Sequence, residues 1–288
     1  MQMKCAWKAL VSILPPWLGR GIDPQYRDKL QELRLRLGNP PELLCSDGST
    51  LLTQPVRDED LHFCVNTASR YSPWAAQSVA RGFLTAPGGH RIGICGEGIV
   101  KSGQITGIRN ISSLCIRICR DFPGIGMAAA DLKGSILILG SPGWGKTTLL
   151  RDIIRQKAKA SQVSVVDERG ELFPEQAGFE QGSRVDVLRE CDKSNGIEML
   201  LRVMGPQIIA VDEITAARDC EAMLQAGRCG VSLMATAHAS SLDDYLHRPL
   251  YRPLADTALF DHIIVLRRDK SWILERVDKR CYAGSAQY

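Results

Sequence analysis

Ser135-Ile136-Leu137-Ile138-Leu139-Gly140-Ser141-Pro142-Gly143-Trp144-Gly145-Lys146-Thr147-Thr148-Leu149-Leu150 is the stretch that decides the fold. An apolar run of strand length stops at a glycine, and Leu149 to Ile154 continues with helical character. The segment therefore fits G-x-x-x-x-G-K-[ST] in its proper strand, loop, helix setting. Glycines let such a loop wrap until successive N–H groups face phosphate oxygens, and the helix N-terminus adds the positive end of its dipole. The candidate nucleotide-binding residues are Gly140, Ser141, Pro142, Gly143, Trp144, Gly145, Lys146, Thr147 and Thr148. Lys146 is expected to reach the β- and γ-phosphates, and the Thr147 hydroxyl to ligate Mg²⁺. A glycine-rich turn with an incidental lysine is the bland alternative, and the flanking strand and helix weigh against it.

Outward from the loop, Gln207-Ile208-Ile209-Ala210-Val211-Asp212-Glu213 reads as a second buried strand ending in two carboxylates. Asp212 suits the Mg²⁺ shell, and Glu213 suits general-base activation of a water, which favours hydrolysis over switching. ATP is the expected nucleotide, because the chain has no N-K-x-D segment of the kind that reads guanine. A third apolar strand, Val231 to Ala235, leads into Thr236-Ala237-His238. Polar residues at the carboxyl end of a strand lie where open α/β sheets bind ligands. Thr236 and His238 are thus candidate γ-phosphate sensors, with a hydrogen-bonded structural histidine the even alternative. A fourth strand, Val163 to Val166, ends at Asp167-Glu168, an acidic pair as readily structural or metal-shell as catalytic. Asp261 to Leu266 and Ser271 to Glu275 flank Arg267-Arg268-Asp269-Lys270 as a hairpin with a basic tip, either solvated or facing a partner or polyanion.

The chain has 288 residues, 44% hydrophobic and 24% charged, enough for a full core in roughly two domains. Its charge of +4 is uneven: residues 1–130 hold 15 Lys/Arg against 10 Asp/Glu, and residues 131–288 hold 21 against 22. Ten scattered cysteines without a C-x-x-C read as reduced cytosolic thiols rather than disulfides or zinc ligands. The apolar stretch from Cys5 to Leu14 is too short for a membrane span and lacks a cleavage site. No integral membrane segment is expected, and any membrane contact is peripheral. Residues 1–70 read as helical: Tyr26 to Leu37 mixes helical periodicity with an alternating end and is stopped by Gly38-Asn39-Pro40-Pro41, and Asp58 caps a second helix through Arg70. Gly88 to Asp121 changes to short alternating runs between glycine-rich turns, an antiparallel texture. The predicted architecture is an N-terminal α+β domain over 1–130 and an α/β, parallel-sheet nucleotide domain over 131–288.

Further segments carry a family resemblance: Gly89-His90-Arg91-Ile92-Gly93-Ile94-Cys95-Gly96, Asn110 to Ile118, Val166-Asp167-Glu168-Arg169 and Ala235-Thr236-Ala237-His238-Ala239. With the loop and Asp212-Glu213 they make the chain resemble the stage III sporulation AA family of P-loop ATPases from endospore-forming bacteria, similar to secretion and pilus motor ATPases. The resemblance covers nearly the whole chain. It implies a RecA-like domain of the additional-strand, catalytic-glutamate class in a cytoplasmic homo-oligomer, a hexameric ring. It further implies a place on the mother-cell face of a membrane complex, the engulfment channel built from sister sporulation proteins.

A P-loop site also needs a cation for the charge spreading over the γ-phosphoryl group, and a neighbouring subunit can supply it as an arginine finger. Arg117 and Arg109 in the N-terminal module are the preferred candidates, since secretion-type motors complete their sites from the neighbouring N-terminal domain. Arg169, Arg202 and Arg228 are the alternatives in the ATPase domain. Two other functions compete with a motor. A basic module fused to a RecA-like domain also describes a nucleic-acid-binding ATPase, but Tyr71, Trp74, Phe83 and Phe122 are few aromatics for stacking bases, so nucleic acid is not the expected partner. A nucleotide-gated scaffold with negligible turnover is disfavoured by the adjacent Asp212 and Glu213.

Overall fold

A computed structural model describes residues 4–69, 82–174 and 177–276. Arg70, Tyr71, Trp74 and one of the ten cysteines, Cys281, lie outside the described residues. The chain forms two compact units, one running up to Asp121 and including Pro174–Phe179, the other comprising Phe122–Phe173 and the chain from Glu180.

In the first unit, β2 (Leu30–Arg36), β3 (Glu42–Cys45), β4 (Gly48–Leu51), β5 (Phe83–Thr85), β6 (Arg91–Lys101) and β7 (Gln104–Arg117) make an antiparallel sheet in the order β4-β3-β2-β7-β6-β5. The short strands β1 (Lys4–Cys5) and β8 (Arg120–Asp121) pair separately. Helices α1 (Trp7–Ser12), α2 (Pro16–Gly21) and α3 (Asp58–Ala68) contribute Leu10, Leu18, Leu61 and Cys64 to a core shared with Leu33, Leu35, Leu43, Ile92 and Ile116.

The helix expected over 26–37 is a strand instead. A register shift between Leu30 and Glu32 inserts one residue, which puts Leu30 in the core with Leu33 and Leu35 and imitates helical spacing. The cap of α3 also differs: Asp58 is its first residue, and Asp60 accepts the Arg57 backbone N–H at 2.8 Å and the Trp17 indole N–H at 2.8 Å. The alternating runs of 88–121 form the β6–β7 hairpin as their period requires.

The second unit is a seven-stranded sheet in the order β11-β10-β12-β13-β9-β14-β15. Its strands are β9 (Ile136–Leu139), β10 (Val163–Asp167), β11 (Val185–Arg189), β12 (Ile208–Glu213), β13 (Ser232–Ala237), β14 (His262–Leu266) and β15 (Trp272–Arg276). All neighbours are parallel except β15, which returns antiparallel on β14 as the predicted hairpin. The central strands are buried on both faces and therefore read as unbroken apolar runs.

One face is covered by α4 (Lys146–Lys157), whose Leu149, Leu150, Ile153 and Ile154 pack on Ile136, Ile138 and Val165. The other face is covered by α5 (Lys193–Val203), α6 (Ala217–Arg228), α7 (Leu242–His247) and α8 (Arg252–Asp256), packed on Leu137, Leu139, Ile209, Val211 and Leu233. Strand β13 lies between β9, which leads into the glycine-rich loop, and β12, which ends in the acidic pair. That inserted strand is the mark of the additional-strand class.

Candidate active site

The glycine-rich loop from Gly140 to Gly145 joins β9 to α4. Gly143 at φ 75° and Gly145 at φ 100° take the left-handed backbone the wrap demands and that a residue with a Cβ resists. Lys146, the first residue of α4, is buried and folds back over the loop. Its Nζ donates to the Gly140 carbonyl at 2.8 Å and the Ser141 carbonyl at 3.3 Å, and lies 2.9 Å from His238 Nδ1. Burial pulls its pKa down to about 8, with Glu213 opposing.

His238 follows β13 directly, and its Nε2 is 2.5 Å from Glu213 Oε1. Lys146, His238 and Glu213 thus form one polar chain along the carboxyl edge of the sheet. Thr236 is placed differently. It is buried within β13, and its hydroxyl donates to the Asp212 carbonyl at 2.6 Å, tying β13 to β12 where their register shifts.

Asp212 is buried, with Oδ1 accepting the Glu213 backbone N–H at 2.7 Å and lying 3.4 Å from Lys193 Nζ. Burial pushes its carboxyl up to about 6, while the Lys193 charge works the other way. Lys193 is 2% exposed and also pairs with Glu168, so its ammonium clamps the ends of β10 and β12 together. Burial acts to lower the Lys193 pKa, but Asp212 and the Glu168 hydrogen bond leave it raised.

Asp167, fully buried, accepts the backbone N–H groups of Glu171 at 2.8 Å, Leu172 at 3.1 Å and Phe173 at 2.9 Å, and so shapes the turn after β10. Thr147 and Asp212 offer one hydroxyl and one carboxylate, and among the described residues no cluster of three or more His, Cys, Asp or Glu side chains is arranged to hold a metal alone. A hydroxyl and a carboxylate are oxygen donors of the kind Mg²⁺ takes from a protein, one or two of them completed by phosphates and water.

The candidate arginines of the first unit lie on its surface. Arg109, 69% exposed, pairs with Glu97 at 3.1 Å, and Arg117, 66% exposed, reaches Glu32 at 3.5 Å. Arg169, Arg202 and Arg228 are exposed in the second unit, Arg202 pairing with Glu198.

Two residues that no sequence motif marks, Lys193 and Tyr251, are brought to this edge by the fold. Lys193 stands at the start of a helix, where a lysine ordinarily meets solvent, and no spacing connects it to Asp212. Tyr251 is buried against Tyr245, with its hydroxyl accepting the His238 N–H at 3.2 Å and donating to the Ile214 carbonyl at 3.5 Å. It thereby links the residues that follow β12 and β13.

The fold is shared with a solved pilus retraction motor and a solved ATPase. The pilus retraction motor PilT with bound ADP matches at a TM-score of 0.60 and 16% identity, over 88% of this chain and 81% of that one. The ATPase DotB of Legionella pneumophila matches at 0.58 and 15% identity, over 88% and 79%. A RecA-like P-loop domain preceded by a smaller α+β domain is thus the class of structure the chain adopts. More narrowly, residues 19–276 match the model of the family described as sporulation stage III, protein AA, and the chain belongs to that family. A relative in Bacillus subtilis (strain 168), stage III sporulation protein AA, is 34% identical over 86% of this chain and 86% of its own length. Among the described residues, no helix is long and apolar enough to cross a membrane.

Proposed function

We propose that the protein is a Mg²⁺-dependent ATP hydrolase that works as a ring and powers assembly or operation of a membrane channel complex during endospore formation. The observation that carries the reading is the chain from Lys146 through His238 to Glu213, which joins the phosphate loop to the acidic strand end. In this reading the loop from Gly140 to Thr148 holds the triphosphate, with Lys146 on the β- and γ-phosphates. Thr147 and Asp212 hold Mg²⁺, which neutralises phosphate charge when bound.

Glu213 takes the proton of the attacking water. His238, now bridging Lys146 and Glu213, exchanges the lysine for the γ-phosphate when ATP enters and so reports occupancy to the base. Asp167 and Glu168 support this edge, Asp167 through the turn it caps and Glu168 through Lys193.

The N-terminal domain serves assembly and partner contact, and exposed Arg117 and Arg109 are offered to a neighbouring copy as arginine fingers. The site is cytoplasmic, on the mother-cell side, and peripheral to the membrane through its partners.

Phosphate release tests the reading. Wild type is expected to release phosphate from ATP only with Mg²⁺, and Lys146→Ala to fall by at least about 100-fold, the scale of losing one preorganised charge-stabilising donor. Turnover in Lys146→Ala equal to wild type would remove the loop from the chemistry.

A further inference from the structure

The basic hairpin tip between β14 and β15 takes no part in the reading above, yet it touches the phosphate loop. Lys270 Nζ donates to the Gly143 carbonyl at 2.7 Å. Loop and tip spring from neighbouring strands: β14 pairs with β9 up to Val265↔Leu139, so both chains leave the sheet side by side.

The tip is held firmly. Arg267 N–H donates to the Ser271 carbonyl at 2.9 Å, Lys270 N–H to the Arg267 carbonyl at 3.0 Å, and Asp269 accepts the Ser271 N–H and hydroxyl at 3.0 and 2.6 Å. Lys270 itself sits at φ 70°, a left-handed backbone that glycine adopts freely and a lysine adopts at a cost. The turn thus holds a disfavoured residue in the position that carries the ammonium to the loop.

We infer that Lys270 is a positioning residue that pre-sets the phosphate loop for its anion, an inference that rests on the loop being the nucleotide site. In a loop whose N–H groups face a phosphate, the carbonyls of the same peptides face outward. A cation on an outward carbonyl favours that peptide orientation and polarises the N–H at its other end. The peptide concerned is Gly143–Trp144, whose N–H makes only a 3.3 Å bond to the Ser141 carbonyl and is the one phosphate would draw inward. Gly143, at φ 75°, leaves this peptide easy to turn, so a restraint from outside has an effect on it.

Titration of wild type, Lys270→Met, Lys270→Arg and Lys146→Ala with fluorescent ADP and a fluorescent non-hydrolysable ATP analogue, both in Mg²⁺, tests the inference. Lys270→Met is expected to weaken both nucleotides alike by about fivefold, the scale of one solvent-accessible charge-assisted hydrogen bond. Lys270→Arg is expected to restore most of the affinity, and the thermal midpoint of both variants to stay at that of wild type. Lys270→Met binding as tightly as wild type would overturn the inference. So would a loss confined to the ATP analogue, which would mean that the ammonium meets the γ-phosphate rather than the loop. Lys146→Ala separates the two levels: if it binds like wild type, the loop reading itself fails, and if it loses binding while Lys270→Met keeps it, only the role of Lys270 fails.

Discussion

Lys146 carries its ammonium into a buried position where two carbonyls and an imidazole replace water, and the penalty appears as a pKa of about 8. A bound polyphosphate stabilises the charged form and raises that value. Nucleotide binding is therefore expected to take up a proton above pH 8, with affinity flat between about pH 7 and 8 and falling by up to about tenfold per unit above pH 8. Calorimetry of ADP binding from pH 7 to 9.5 measures this, and an affinity that rose with pH would contradict it.

His90 in the first unit gives a second pH effect. Its Nδ1 accepts the Cys119 N–H at 3.1 Å, its Nε2 lies 3.2 Å from the Ala6 carbonyl, and burial lowers its pKa from the ordinary 6.5. The neutral ring is the stabilising form, so its contribution is complete above about pH 6.5 and is lost as pH falls through the lower folded value. Urea midpoints at pH 7 and 5.5 are expected to fall further for wild type than for His90→Gln. At this scale Lys146 was legible from its spacing to Gly140 and Gly145, and Asp212 and Glu213 because they stand where an apolar run ends, whereas Lys193 and Lys270 act through distant partners that spacing does not reveal.

Helix α5 carries Gly196 against strand β10, and a Cβ built there would meet Val166 Cγ1 at 2.7 Å and Cys191 Sγ at 3.0 Å. Helix propensity alone predicts that Gly196→Ala stabilises by about 1 kcal/mol. Overpacking of a filled core costs about 1–3 kcal/mol, and Val166 is fully buried, so the clash is expected to win. Chemical denaturation of Gly196→Ala reads the sign, and a stabilised variant would show that α5 yields readily.

Element type was readable wherever one period held without interruption: the buried parallel strands, the β6–β7 hairpin and the hairpin with the basic tip. It failed at β2, where the register shift beside Leu30 blends a period of two with an apparent step of three. It also passed over β11, whose residues are only partly buried at the sheet edge and present no apolar run. The insertion of β13 between β9 and β12 is a property of strand order, and apart from the family resemblance nothing in a local window announces it.

At the scale of the whole molecule, the proposed ring asks a second copy to complete each site. Light scattering with ATP and Mg²⁺ is expected to give a mass six times that of the chain, and Arg117→Ala to assemble yet hydrolyse about 10³-fold more slowly, the lower range for a missing arginine finger. Assembly with undiminished hydrolysis would remove Arg117 from the role. The basic excess of residues 1–130 was visible in composition, but which arginine meets a neighbour is a property of the assembly. The most direct test of the central claim, that loop and acidic strand end form one hydrolytic ATP site, is the identity of the nucleotide retained by Glu213→Gln after incubation with ATP and Mg²⁺ and rapid desalting. The account predicts unhydrolysed ATP on Glu213→Gln, with wild type holding ADP or nothing. Retention of only ADP by Glu213→Gln, formed at the wild-type rate, would contradict it.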